Sequence, residues 1–303
     1  MRTFIVAATV SASLFASPAF TQQPSQGMAP TPNLSGMWAH LSCCGFEPPR
    51  SGPGPVTNRS RRNGAGDPYQ YVGDYTNPIL KPEAAQVVKR FGEIEASGVP
   101  ALSPSRQCWP GGVPFVIWNI GMELIQQPNQ IIIIYSNDHE VRHVRMNVSH
   151  PPRVTPSWYG DSIARYDGDT LVIDTVGVRV GPYAMVDWYG TPHTEALHIV
   201  ERYRLLDYAE AIEAEERGLH ETFRLEASDA GFSRDPNYKG NGLQVEFTVE
   251  DEGVFTMPWT ATMTYQRPSS PLGQWPEMVC ADNPSGYFAG EKAVLPTAEK
   301  PDF

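Results

Sequence analysis

The sequence is short of positive charge, cysteine, long apolar runs and compact catalytic signatures. Lys and Arg number 23 against 34 Asp and Glu, a formal net charge of −11. No basic footprint for nucleic acid or an anionic membrane surface is present. The chain has no GxSxG elbow, P-loop, GxGxxG after a strand, HExxH or EF-hand loop. That weighs against a serine hydrolase, a nucleotide enzyme and a zincin. The 4 cysteines lack CxxC spacing, which disfavours a cysteine-rich metal site. No internal repeat and no domain linker is visible, so one domain is the default.

The most continuous apolar run lies at the N-terminus. Arg2, the stretch from Phe4 to Phe15 and the small residues Ser17-Pro18-Ala19 read as a secretory signal over residues 1–19. A membrane span needs about 20 apolar residues, more than this run offers. Gln, Pro and Ser then dominate a tail over 20–33. The expectation is a periplasmic or secreted protein with no membrane span in its mature form. Export permits disulfides. Cys43 and Cys44 are adjacent and would form a strained ring together. Either Cys108–Cys280 is a structural bridge, or each member of the vicinal pair bridges outwards.

What the chain does have is turns and short strands. Pro (29) and Gly (26) are abundant, which implies many reversals and few long helices. The region from Gly45 to Pro68, with Arg50, Arg59, Arg61 and Arg62, reads as a loop with a solvated basic face. Lys81 to Ala96 predicts a helix, with Pro82 at its first position and Val87, Val88, Phe91 and Ile94 on one side. Strands are expected at Leu34–Trp38, Phe115–Ile120, Glu123–Gln127, Ile131–Tyr135, Val141–Val148, Leu243–Glu250 and Val254–Tyr265. The run of isoleucines suggests burial on both faces, and Pro258 an edge or bulge. Residues 208–242 read as an insertion. Its helix starts at the Asp207/Glu210 cap and stops at Gly218, and a short strand follows over His220–Glu226. The fold expected over 34–303 is mainly β: an antiparallel, calycin/lipocalin-like barrel with helical insertions. A two-sheet β-sandwich is the alternative.

The candidate chemistry is concentrated between Ser157 and Arg204. Asp167-Gly168 is a hairpin turn pair. With it as the loop, Asp161 sits opposite Asp174, and two facing carboxylates suit a raised pKa and acid–base work. A following strand from His193 to Leu205 puts His193 beside Glu195, a base and its orienting carboxylate. On the other face His198 reads as a core histidine, and Glu201 with Arg202 reads as cross-strand ion pairing. Arg202, His150, Trp158, Tyr166 and Trp188 are candidates for contacting a ligand. His139 and His143 are four apart, which is not a metal spacing on a strand.

The same stretch resembles a large family of exported, mostly uncharacterised bacterial proteins. Their recurring pattern is a Trp-x-Gly-His-Ser segment, a Trp-Glu-Gly-Asp-Thr-Leu-Val-Val-Asp-Thr hairpin and a Pro-His-Ser-Glu…Leu-His…Glu-Arg strand. Arg142-His143-Val144, His150-Pro151, Trp158-Tyr159-Gly160-Asp161-Ser162, Tyr166 to Thr175 and Gly190 to Arg202 follow it here. So do Cys108-Trp109-Pro110-Gly111 and Cys280-Ala281-Asp282-Asn283. The resemblance implies a common fold and site position, with no agreed activity. This chain departs from it at Asp161, where the pattern has His, and in the 208–242 insertion.

The function expected is an exported enzyme acting on a small apolar or aromatic molecule by general acid–base catalysis without a cofactor. A lyase or isomerase is favoured over a hydrolase. The catalytic set is His193, Glu195, Asp161 and Asp174, with no metal ligand. Two alternatives stand beside it: a non-catalytic, lipocalin-like small-molecule carrier, and a metal-dependent oxidoreductase.

Overall fold

A computed structural model describes residues 31–40, 42–43, 45–59, 70–137, 140–224, 233–234, 237–269 and 279–280. Residues 1–19, where a secretory signal is expected, most of the 20–33 tail, Cys44, Arg61, Arg62 and His139 lie outside these residues, as does the side chain of Cys43. Among the described residues, no helix is long and apolar enough to cross a membrane.

Nine strands form one sheet, each paired with its neighbour in sequence. They are β1 (Gly36–Ala39), β2 (Gly121–Gln126), β3 (Gln130–Tyr135), β4 (Val141–Met146), β5 (Asp161–Asp167), β6 (Thr170–Val176), β7 (His198–Leu206), β8 (Gly242–Glu250) and β9 (Trp259–Tyr265). The two edges meet where Ala39 and Gln266 exchange backbone hydrogen bonds, each of 2.8 Å. The sheet is thus a nearly closed barrel, and a staggered seam of this kind follows from strand tilt.

Alternation decides which side chains enter the barrel. In β4, Arg142, Val144 and Met146 are buried and Val141, His143 and Arg145 exposed. In β7, Ile199, Glu201 and Tyr203 point in. In β3 only Ile131, Ile133 and Tyr135 are fully buried. The isoleucine run therefore covers the outside of the barrel on one face and fills it with the other. Trp38, Trp259, Phe247, Tyr203 and Tyr265 complete a packed interior.

Three departures from the sequence reading shape the site. First, β4 and β5 are parallel, with Val144 beside Ser162, so the connection over 147–160 must double back along the barrel. Second, Phe115–Trp118 is a 3-10 turn, not a strand. With Phe115 and Trp118 packed on Trp188, and Tyr71 also on Trp188, it plugs the barrel end where β5 and β7 begin. Third, β7 starts at His198, which leaves His193 and Glu195 on the preceding turn.

Helix α1 (Pro82–Ala96) has Pro82 at its start as expected, but it buries Ala84, Val88, Phe91 and Glu95. Val87 and Ile94 face solvent. The stripe is set by the close approach of Phe91 to Gly190, where a Cβ would lie 2.4 Å from the ring. Helix α2 (Tyr208–Glu221) runs straight through Gly218, because its packing against β9 continues and Thr222 caps it. Of the strand expected over His220–Glu226, His220 and Glu221 belong to the helix, Phe223–Arg224 are strand, and 225–226 lie outside the described residues. Its N-terminus is a full capping box: Asp207 accepts from the Glu210 N–H at 2.9 Å. Asp207→Ala should lower stability by about 1 kcal/mol, read as a shift in the urea midpoint.

The loop between β6 and β7 buries Asp187, which accepts N–H bonds from Tyr189 at 2.9 Å and Thr191 at 3.2 Å. Burial pushes its carboxyl up to about 6, against hydrogen bonds from Thr191 and Tyr189 that favour the ionised form. An unfolded Asp titrates near ~3.9, so the native state retains a proton that the unfolded chain has lost. Stability contributed by that proton is therefore lost as pH rises from about 4 to about 6, on the order of 2–3 kcal/mol. Asp187→Asn keeps an oxygen for both N–H donors and should flatten that slope, which urea unfolding at pH 4, 5, 6 and 7 measures.

Candidate functional site

The hairpin β5–β6 turns at Gly168-Asp169, with Asp167 paired to Thr170. Gly168 alone has a left-handed φ, 62°, the requirement of a two-residue turn with Gly in its first central position. Asp161 consequently pairs with Val176, and Ile163 pairs with Asp174. The two aspartates are diagonal neighbours on the outer face of the barrel, not directly opposite. Gly160 sets up Asp161: a Cβ there would meet the Val176 carbonyl at 2.5 Å.

His150 sits between them. It lies on the 147–160 connection that the parallel pairing sends back over the outside of the barrel. Nδ1 is 2.6 Å from Asp161 Oδ1, and Nε2 is 3.0 Å from Asp174 Oδ1. With a carboxylate at each nitrogen, both ring N–H groups are assigned as donors and the imidazole as cationic. Partial burial alone would lower its pKa. The hydrogen bonds and charges of Asp174 and Asp161 outweigh that and raise it.

The chain of contacts extends at both ends. Arg145 from β4 grips Asp161 through both carboxylate oxygens, at 2.7 and 2.8 Å. His198, first residue of β7, places Nε2 3.1 Å from the same Asp174 Oδ1, and its Nδ1 is 3.6 Å from Glu250 Oε2. The sequence Arg145–Asp161–His150–Asp174–His198–Glu250 thus crosses β4 to β8 on one rim. Asp174 Oδ2 has no hydrogen-bond partner among the described residues, and that side chain is 31% exposed. An open carboxylate oxygen, backed by two imidazoles on its other oxygen, can take a proton from a bound molecule.

The expected set is only partly gathered here. Asp161 and Asp174 converge as the hairpin required, and His150 is their bridge, not a peripheral cleft residue. His193 and Glu195 do not join: Glu195 is exposed, and His193 is buried beside a separate cleft. Arg202 is exposed farther along the outer face of β7. Tyr166 accepts from Gln126 at 2.6 Å, toward the far end of β5. Trp188 is core, and Trp158 lines the His193 cleft. Cys108 and Cys280 are bonded to one another.

Two residues carry more than the sequence reading assigned to them. His198 is on the outer face with Asp174, as its alternation against Ile199 and Glu201 allowed. Glu201 is an ion-pair residue, but its partner is Arg142 across the barrel interior, at 3.0 and 2.5 Å. Among the described residues no group of three or more His, Cys, Asp or Glu side chains is arranged to hold a metal ion.

No family model, no curated protein and no solved structure matches the chain. The site stands on its own geometry.

Proposed function

We propose that this is an exported enzyme, periplasmic or secreted, that moves a proton on a small molecule by general acid–base chemistry without a cofactor. Lyase or isomerase chemistry is favoured. The observation that carries this reading is Asp174, whose Oδ1 accepts from His150 and His198 while Oδ2 stays open.

Asp174 Oδ2 is the base that receives the proton. His150 holds the Asp174 and Asp161 carboxylates at fixed separation and keeps a positive charge beside the negative charge that develops on the substrate. Arg145 anchors Asp161 so that the imidazole cannot swing away. A base that abstracts and an acid that returns a proton are what isomerisation and elimination both need. The packed interior favours this reading over a carrier. In a lipocalin-like carrier the ligand occupies the barrel, and here Trp38, Trp259, Phe247 and the Arg142–Glu201 pair occupy it.

The test is a panel of small exported and envelope metabolites incubated with purified protein and followed by mass spectrometry. Isomerisation or elimination of at least one compound, absent with His150→Ala, is the expected result. Turnover that is unaltered in His150→Ala and in Asp174→Asn would sink the assignment.

A further inference from the structure

The connection between β4 and β5 crosses the outside of the barrel on few attachments. From Val148 to Pro156 every residue except His150 and Val154 is exposed. No backbone group in that stretch has a hydrogen bond among the described residues. Pro151, Pro152 and Pro156 have no N–H to give, and they keep the chain stiff and extended. The backbone ties end at Asn147, whose N–H donates to the Ala164 carbonyl at 2.7 Å and whose φ is 56°. They resume at Ser157, which donates to the Gly177 carbonyl at 3.2 Å and accepts from the Arg179 N–H at 2.8 Å. Between these two hinges Val154 packs on Gly177, where a Cβ would overlap it. The polar tie is His150, through Asp161 and Asp174.

That tie is strong only while the ring carries two N–H groups. A neutral imidazole keeps one donor and turns the lone pair of its other nitrogen toward a carboxylate oxygen. One charge-assisted bond becomes a repulsive contact, and the other loses its charge assistance. The groups facing the ring come from five strands. Asp161 of β5, Asp174 of β6 and, farther off, Glu250 of β8 favour the cation. Arg145 of β4 and, when protonated, His198 of β7 oppose it. Arg153, on the connection itself, is exposed. Partial burial also disfavours the cation, but the hydrogen bonds of Asp174 and Asp161 outweigh it and raise the pKa. Docking is therefore fully present below the pKa of a free imidazole and is lost as pH rises through the raised one.

We propose that Val148 to Pro156 is a proton-held strap: protonated His150 clamps it to the barrel wall, and loss of that proton frees it to swing on Asn147 and Ser157. Release bares Asp161 Oδ1 and Asp174 Oδ1, which the ring otherwise occupies. The movement itself needs no catalysis. Its consequence, a site that loses its cation and its cover together at alkaline pH, rests on the reading of Asp174 as the base.

Limited trypsin cleavage after Arg153 tests the strap without any substrate, because nicking follows the population of the open form. A synthetic peptide of residues 147–159, cut by the same trypsin, corrects for the protease's own pH dependence. The corrected rate in wild-type protein should rise about tenfold between pH 6 and pH 9, the weight of one charge-assisted bond exchanged for an ordinary one. In His150→Gln it should be high and flat over that range. His143→Gln, on an exposed neighbour in β4, should keep the wild-type profile. A wild-type rate that does not change with pH overturns the proposal, as does a rise that persists in His150→Gln or vanishes in His143→Gln. Cleavage after Arg142, inside β4, reports opening of the barrel as a whole, and a parallel rise there would overturn it too. Turnover at Asp174 can fail with the strap intact, and the strap can fail with turnover intact.

Discussion

Glu201→Gln is expected to destabilise the protein by about 3–5 kcal/mol, the cost of stranding one partner of a buried ion pair. Arg142 and Glu201 are both 0% exposed in their side chains. Arg142 spends its donors on Glu201, on Thr175 at 2.7 Å and on Ser162 at 3.1 Å, and Tyr203 donates to Glu201 at 2.9 Å. Burial alone would lower the Arg142 pKa, but the adjacent Glu201 keeps the guanidinium protonated. Glutamine preserves shape and acceptor count on one oxygen yet leaves that cation uncompensated. Urea unfolding at constant m-value measures the loss. The double variant Arg142→Met/Glu201→Leu should lose much less than Glu201→Gln alone, because removing both charges also removes their desolvation cost. A Glu201→Gln loss below about 1 kcal/mol would mean that water reaches the pair.

The barrel was legible because each strand has one dry face. Arg142, Val144 and Met146 alternate with exposed residues in β4, and Leu243 to Val249 do so in β8. A slip of one residue would turn those side chains outward. Such alternation is blind to a slip of two. Reading Asp167-Gly168 as the turn shifted the β5–β6 ladder by two positions and kept every face correct. The convergence of Asp161 and Asp174 therefore survived as a diagonal contact while their direct pairing did not. His150 carried no periodic signal at all. It reaches the acids because β4 and β5 run parallel, and a long-range pairing choice of that kind leaves no local trace in sequence. The Arg142–Glu201 pair joins positions 59 apart. A buried arginine in an otherwise apolar inward row was its only local sign.

The largest effect expected at the site is from Asp174→Asn, with turnover falling about 10²–10⁴-fold once a substrate is in hand. The side chain is 31% exposed, so the fold should tolerate the change, and an unaltered urea midpoint would separate lost chemistry from lost structure. Asparagine can present its carbonyl oxygen to His150 and His198 but has no open carboxylate oxygen to accept a proton. It also removes one of the two charges that hold the His150 pKa up, the other being Asp161. His150 is the cationic partner in the proposed step, so the wild-type rate should fall as pH rises through its raised pKa. In Asp174→Asn the residual rate should fall at lower pH, and an NMR titration of the His150 ring should move in the same direction. Asp161→Asn should shift that alkaline limb similarly while leaving the base in place, so its turnover at acidic pH should remain within about tenfold of wild type. If the two variants lost turnover equally at every pH, Asp174 would have no role beyond positioning His150.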